Sequence, residues 1–344
     1  MKPYKILING IGRIGKAILR ISQNTDDINI VAINDINTNI QNIAYIINYD
    51  STYGNIDDKY TAVGSFIQNQ KSKIEVFNNN KLQDINLKNI DIVIDSSGMK
   101  IDKKVLNKLD VKHIFLTHPN SIADINIIIG INENSINTKE HKIVSTSSCN
   151  ATAILPILKA IDDKFGIVCG DVVTIHPLLN HQKTLDAKCI SSNDRDVKCS
   201  FEFGRGAMQN IIPSGTTTID ACSLVLPKIS SDMFSSNSFR VPTDVVGAIN
   251  ISIYSKTACS KKQIIEFCEL IATKQKFDIF LNNYDPLVSK DFQKQTFSTI
   301  IDHRWTDVKN SHLIKLVLWY DNEWGYASKV LDIVKLFRDK TKES

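Results

Sequence analysis

The chain of 344 residues lacks any apolar run approaching the ~18 residues that a helix needs to cross a bilayer. No membrane partner is therefore expected. It also lacks a lysine/arginine block and any alternation of basic and aromatic residues, and its net charge is only +4. Nothing in that pattern favours nucleic acid. The seven cysteines are an odd number with no C-x-x-C spacing. They argue against a disulfide framework or a structural zinc site, and no metal is expected. The opening MKPYKILING runs straight into a strand pattern without an apolar signal segment. A reducing cytoplasm is the expected location. What remains is an ordinary soluble composition, 42% hydrophobic and 23% charged, long enough for two domains.

The first half carries the clearest local pattern. Residues 5–8 (KILI) read as a short buried strand, followed by Gly10-Ile11-Gly12-Arg13-Ile14-Gly15 and then helical spacing from Lys16 to Asn24. Residues 28–34 (INIVAIN) read as a second strand ending at Asp35. Strand, glycine turn, helix, strand and acid make a dinucleotide-binding βαβ unit. The glycines allow a tight turn and let a pyrophosphate reach the helix N-terminus. Gly10, Gly12, Arg13, Ile14 and Gly15 are thus candidate cofactor contacts. Asp35 can accept hydrogen bonds from the adenosine ribose, and its charge would repel a 2′-phosphate, which favours NAD over NADP. Further strands are expected at 74–77, 91–95, 113–117 and 126–130, alternating with helices. That alternation implies an α/β, Rossmann-type, doubly wound parallel sheet.

The second half changes character. Strands are expected at 170–176, 220–227, 238–241, 247–255 and 313–320, with one main helix at 260–274. This suggests a second, α+β domain with a mainly antiparallel sheet. The stretch 187–204 is polar and aperiodic and reads as a long loop. An amphipathic segment at 326–340 could return to the first domain. The expected division is 1–148 for cofactor binding, 149–325 for catalysis and 326–344 for a returning C-terminal helix.

Cys149 is the most informative single residue. It follows Ser145-Thr146-Ser147-Ser148 and precedes the apolar stretch from Ala151 to Phe165. Small hydroxyl residues signal a helix entry. A thiol placed there feels the positive end of the helix dipole, which would lower its pKa and favour a nucleophilic thiolate. The fragment equally fits a small buried core thiol. His176, in the apolar run Val172-Val173-Thr174-Ile175-His176, is either a satisfied core histidine or a base for that thiol.

Eight ordered motifs then combine. They are Ile8-Asn9-Gly10-Ile11-Gly12-Arg13-Ile14-Gly15, Ala32-Ile33-Asn34-Asp35, Tyr49-Asp50-Ser51, Ser148-Cys149, His176, Gln209-Asn210-Ile211-Ile212-Pro213, Phe239-Arg240-Val241-Pro242-Thr243, and Trp319-Tyr320-Asp321-Asn322-Glu323-Trp324-Gly325-Tyr326. In this order, over essentially the whole chain, they resemble the glyceraldehyde-3-phosphate dehydrogenase family. The resemblance implies that Cys149 attacks an aldehyde to form a thiohemiacetal. A hydride then leaves for the nicotinamide, and a thioester remains on Cys149. It implies that His176 is the general base, that Asn322 orients the nicotinamide carboxamide and that Arg240 holds a substrate phosphate. Ser148, Asn150, Thr216 and Thr217 would complete the phosphate contacts, while Trp324 and Tyr320 look like packing residues. A homotetramer is implied as well. The implied reaction is glyceraldehyde 3-phosphate plus inorganic phosphate to 1,3-bisphosphoglycerate, in glycolysis or gluconeogenesis.

The pattern departs from the family around phosphate. Asn150 stands for a common threonine, Leu179 for another, and Thr217 for a glycine. Phe203 replaces one of two arginines, and Arg205 remains. Erythrose-4-phosphate dehydrogenases share this framework and release 4-phosphoerythronate by hydrolysis. That reaction is one alternative, and an NAD-binding paralogue without turnover is another.

Overall fold

The protein is described by a computed structural model covering residues 3–36, 39–189 and 201–343. It divides into two compact units. The first comprises Met1–Ile127, Asn132–Ser147 and Ala327–Ser344, and the second Ile128–Ile131 and Ser148–Tyr326.

In the first unit β1 (Lys5–Asn9), α1 (Arg13–Ser22) and β2 (Asn29–Asn34) are followed by α2 (Ile40–Asn48), β3 (Thr61–Val63), β4 (Phe66–Gln68) and β5 (Lys73–Phe77). Then come β6 (Ile92–Asp95), α3 (Lys103–Lys108), β7 (His113–Leu116), β8 (Ile125–Asn126) and β9 (Ile143–Ser145). The sheet order is β3-β4-β5-β2-β1-β6-β7-β9-β8. β1 pairs in parallel with both β2 and β6, and β6 pairs in parallel with β7. Antiparallel pairing is confined to the β3–β4–β5 edge. Ile6, Leu7, Ile8, Ile92, Val93 and Ile94 have no exposed surface. Such continuous apolar strands belong to a sheet covered on both faces. Of the strand expected at 126–130 only Asn126, the second residue of β8, is in a strand, and Ile127, Ile128 and Ile129 are buried outside any strand. Burial there, not pairing, explains the apolar run.

The second unit opens with α4 (Cys149–Phe165), β10 (Ile167–His176), β11 (Ile212–Ser214), α5 (Thr218–Ser223), β12 (Phe234–Arg240), β13 (Gly247–Ser255) and α6 (Lys261–Lys274). It continues with β14 (Phe280–Asn283), β15 (Thr299–Asp302), β16 (Asp307–Lys309) and β17 (Leu313–Tyr320). The last helix, α7 (Trp324–Glu343), starts in this unit and belongs to the first from Ala327 onward. The sheet order is β11-β12-β10-β13-β17-β15-β14, with β16 on β17. Most pairs are antiparallel, while β10–β12 and β14–β15 are parallel. Residues 220–227 do not form the strand expected of them, because α5 occupies their start. The buried residues Thr218, Ile219, Ala221 and Cys222 follow helical spacing.

Of the 187–204 stretch, residues 190–200 lie outside the described residues, and Phe201–Gly204 forms a short 3-10 turn. Cys189 is disulfide-bonded, contrary to an all-thiol expectation, whereas Cys149, Cys169, Cys222, Cys259 and Cys268 are free. Among the described residues no helix is long and apolar enough to cross a membrane, and no side-chain cluster could hold a metal ion.

Candidate active site

The strand register of the second unit builds the site. β10 places His176 beside Arg240 of β12, and β13 places Gly247 opposite Tyr320 of β17. His176, one residue past the last β10–β13 pair, falls next in line with Gly247. These four residues therefore form one row across the sheet. Gly247 is required by close approach: a Cβ there would lie 2.5 Å from Cζ and Oη of Tyr320.

α4 brings the nucleophile candidate to this row. Ser148 is its N-cap, accepting from the Ala151 amide at 3.2 Å, so the helix begins at Cys149 itself. Cys149 Sγ lies 3.9 Å from His176 Nε2. His176 is 4% exposed, and its Nδ1 is 2.8 Å from the Pro177 carbonyl. A carbonyl only accepts, so Nδ1 carries the proton and Nε2 turns its lone pair toward sulfur. Burial pushes the Cys149 thiol up to about 11, against the opposing pull of Arg240 and the Asn150 and Cys149 amides. Burial, reinforced by Arg240, pushes His176 down to about 3. The resting pair is thus thiol and neutral imidazole. This corrects the expectation of a resting thiolate: loss of hydration outweighs the helix N-terminus here.

Polar groups surround the pair. Arg240 Nε and Nη1 are buried with no hydrogen-bond partner, which leaves a cation available to an anion. Tyr320 donates to Asn150 Oδ1 at 2.5 Å, Asn150 Nδ2 donates to Thr218 Oγ1 at 3.1 Å, and Thr218 meets Thr216 at 2.7 Å. Thr217 is exposed before α5 and makes no capping bond with its side chain. Asn322 accepts from the Val246 amide through Oδ1 at 3.0 Å, which leaves its Nδ2 to be presented elsewhere. Val246 is strained for this purpose: it is β-branched, with φ at 69°. Leu179 and Phe203 contribute no donors from their side chains, and Arg205 is committed to Asp186 at 3.0 Å on the surface.

In the first unit a cavity of about 450 Å³ opens at the carboxyl ends of β1, β2 and β6, with Gly10, Gly12, Asp35 and Ser97 in its wall. Gly10 has φ of 90° and Gly15 abuts the Gly10 carbonyl, so both shape the turn. A Cβ on Gly12 would meet nothing within 4 Å, and no side chain caps α1. That leaves an open cradle at uncapped helix amides, which fits a pyrophosphate. Asp35 accepts from the Ile11 amide at 2.7 Å with one oxygen, leaving the other for a ribose hydroxyl. Arg13 pairs with Asp50 at 3.0 Å beside Tyr53, and Ile14 is half-buried in the first turn of α1.

Residues 4–103 match the glyceraldehyde 3-phosphate dehydrogenase NAD binding domain, and residues 148–322 match the C-terminal domain of the same enzyme. The chain belongs to the glyceraldehyde-3-phosphate dehydrogenase family. It is 36% identical to the glyceraldehyde-3-phosphate dehydrogenase of Buchnera aphidicola subsp. Schizaphis graminum, over 96% of this chain and 98% of that one. It is 33% identical to glyceraldehyde-3-phosphate dehydrogenase 1 of Trichormus variabilis, over 97% of this chain and 96% of that one. Glyceraldehyde-3-phosphate dehydrogenase 2 of Bacillus subtilis is 30% identical, over 96% of each chain. As a member of this family the chain is an NAD-dependent oxidoreductase acting on an aldehyde group.

Within the family framework the structure gathers Cys149, Ser148, Asn150, His176, Arg240, Thr216 and Asn322 in the second unit. Gly10, Gly12, Arg13, Ile14, Gly15 and Asp35 are gathered in the first. Sequence reasoning missed Gly247 and undervalued Tyr320. The alternation of LIKLVLWY could have flagged Tyr320, since it shares parity with the buried Ile314, Leu316 and Leu318.

Proposed function

We propose that the chain oxidises glyceraldehyde 3-phosphate with NAD through a thiohemiacetal and then a thioester on Cys149. The placement of Cys149 Sγ opposite the unprotonated Nε2 of His176 carries this reading. His176 takes the thiol proton as sulfur bonds to the aldehyde carbon, passes it to the former carbonyl oxygen to give the thiohemiacetal hydroxyl, and takes that hydroxyl proton back as the hydride leaves and the thioester forms. Neutral imidazole is the form this role needs. NAD, when bound, supplies the hydride acceptor. Asn322 offers its Nδ2 to the carboxamide, and Arg240 receives the substrate phosphate.

Inorganic phosphate then releases 1,3-bisphosphoglycerate. A second reading, hydrolysis of the thioester with erythrose 4-phosphate as substrate, is favoured by Leu179 and Phe203 and by the commitment of Arg205 to Asp186. We further assign the chain to the cytoplasm as a homotetramer. The sheet face away from α4 leaves Ile175, Tyr254 and Leu313 exposed at 40%, 47% and 40%, which supports an assembly.

NADH formation from each aldehyde, with and without phosphate, tests the reading. Phosphate-dependent turnover of the triose is expected, and phosphate-independent turnover of the tetrose would favour the second reading. Cys149→Ser should lose roughly a thousandfold or more in turnover while keeping NAD affinity. Retained turnover would overturn the assignment.

A further inference from the structure

We propose that Tyr320 is a positioning residue that acts through Asn150 to keep the proton on Cys149 until His176 takes it. The inference rests on the reading of Cys149 as the reactive thiol and goes beyond it.

Asn150 is fixed from both ends. Its Oδ1 receives the Tyr320 hydroxyl at 2.5 Å and the Cys149 thiol at 3.5 Å, while its Nδ2 is held by Thr218 at 3.1 Å. Tyr320 and Thr218 are each 2% exposed, so neither partner readily gives way. The amide cannot invert without breaking both bonds. An acceptor oxygen beside sulfur stabilises S–H and opposes S⁻. The thiol therefore has two acceptors, Asn150 Oδ1 and His176 Nε2, and only the second can carry the proton away. A hydroxyl residue after the cysteine could donate to the sulfur, whereas a locked Asn150 cannot.

The groups facing the sulfur act in both directions. Arg240 from β12 and the amides of Cys149 and Asn150 at the start of α4 favour the anion. Glu323, before α7, opposes it. His176 from β10 is neutral, and Tyr320 from β17 acts through the Asn150 oxygen. Removing that oxygen should make the thiol more acidic. Removing the Tyr320 hydroxyl should do the same, because the freed amide can turn Nδ2 toward sulfur. A merely structural Tyr320 would not shift the titration downward.

The test is the rate of iodoacetamide alkylation of the full chain from about pH 7 to 10, below the thiol midpoint, where a lower midpoint reads as a uniformly faster rate, with Cys149 labelling read by peptide mass. Asn150→Ala and Tyr320→Phe should lower the midpoint by about one unit, giving roughly tenfold faster alkylation at neutral pH. Asn150→Asp keeps acceptor oxygens and should show no acceleration. An unshifted or raised midpoint in Asn150→Ala or in a folded Tyr320→Phe, or equal acceleration in Asn150→Asp, overturns the proposal. If Tyr320→Phe fails to fold, the two Asn150 variants decide. Alkylation needs no turnover, so it is independent of the Cys149→Ser assay, which judges the underlying reading.

Discussion

Replacing Gly247 with alanine probes the row that carries the site. The added methyl would lie 2.5 Å from Cζ and Oη of Tyr320 and 2.6 Å from Cε1. Carbon atoms in contact settle at about 3.5–4 Å, so the ring must retreat by roughly an ångström. Tyr320 is 2% exposed, so the ring can retreat only by displacing its buried neighbours or breaking its bond to Asn150. Overpacking of this kind costs about 1–3 kcal/mol. Breaking the Tyr320–Asn150 hydrogen bond adds about 1 kcal/mol. For a unit of this size each kcal/mol lowers the thermal midpoint by about 2–4 °C, so a fall of roughly 5–15 °C is expected. Differential scanning calorimetry of the second unit's transition measures it. Gly215→Ala is the control, because a Cβ there meets nothing within 4 Å, and its cost should stay within about 0.5 kcal/mol. If Gly247→Ala melts with the wild type, the tight fit of Tyr320 against β13 is not what holds this part of the sheet.

Asp35→Gly should raise the NADP to NAD ratio of kcat/KM by roughly tenfold or more, by removing a carboxylate that repels a 2′-phosphate. An unchanged ratio in steady-state kinetics would separate Asp35 from the ribose. Asp50 offers a stability test in the first unit. Burial disfavours its charge, but Lys16, the Tyr53 amide and Arg13 outweigh burial and hold the carboxyl at about 2. Its contribution, about 2 kcal/mol, is complete above the ordinary carboxylate range near 4 and disappears as pH falls through 2. Urea unfolding of wild type and Asp50→Asn should therefore converge in stability between about pH 4 and 2. Parallel curves through that window would refute the assignment.

The βαβ unit was legible because all its determinants are local. The Gly10–Gly15 turn, the α1 periodicity and Asp35 lie within one short stretch, and each has a single geometric solution. The six residues of α5 were not legible as helix, since so short an apolar window satisfies both periods. Cys149 and His176 could be named from their context. Their protonation could not, because it depends on burial created by β12, β13 and β17 far along the chain. Likewise nothing near Asn150 in sequence announces Tyr320, 170 residues away, as the donor that fixes its amide.

The row of Arg240, His176, Gly247 and Tyr320 also limits how the chain can change in length. Side chains on neighbouring positions of a strand point to opposite faces, so losing or gaining one residue within β10, β12, β13 or β17 would turn a member of the row away from Cys149. Tolerated insertions and deletions are thereby confined to the connections, above all to residues 177–211 between β10 and β11. That segment can be rebuilt without moving a strand by one step. The part of the molecule freest to diverge thus lies outside the four strands that must stay in register, and it contains Leu179 and Phe203.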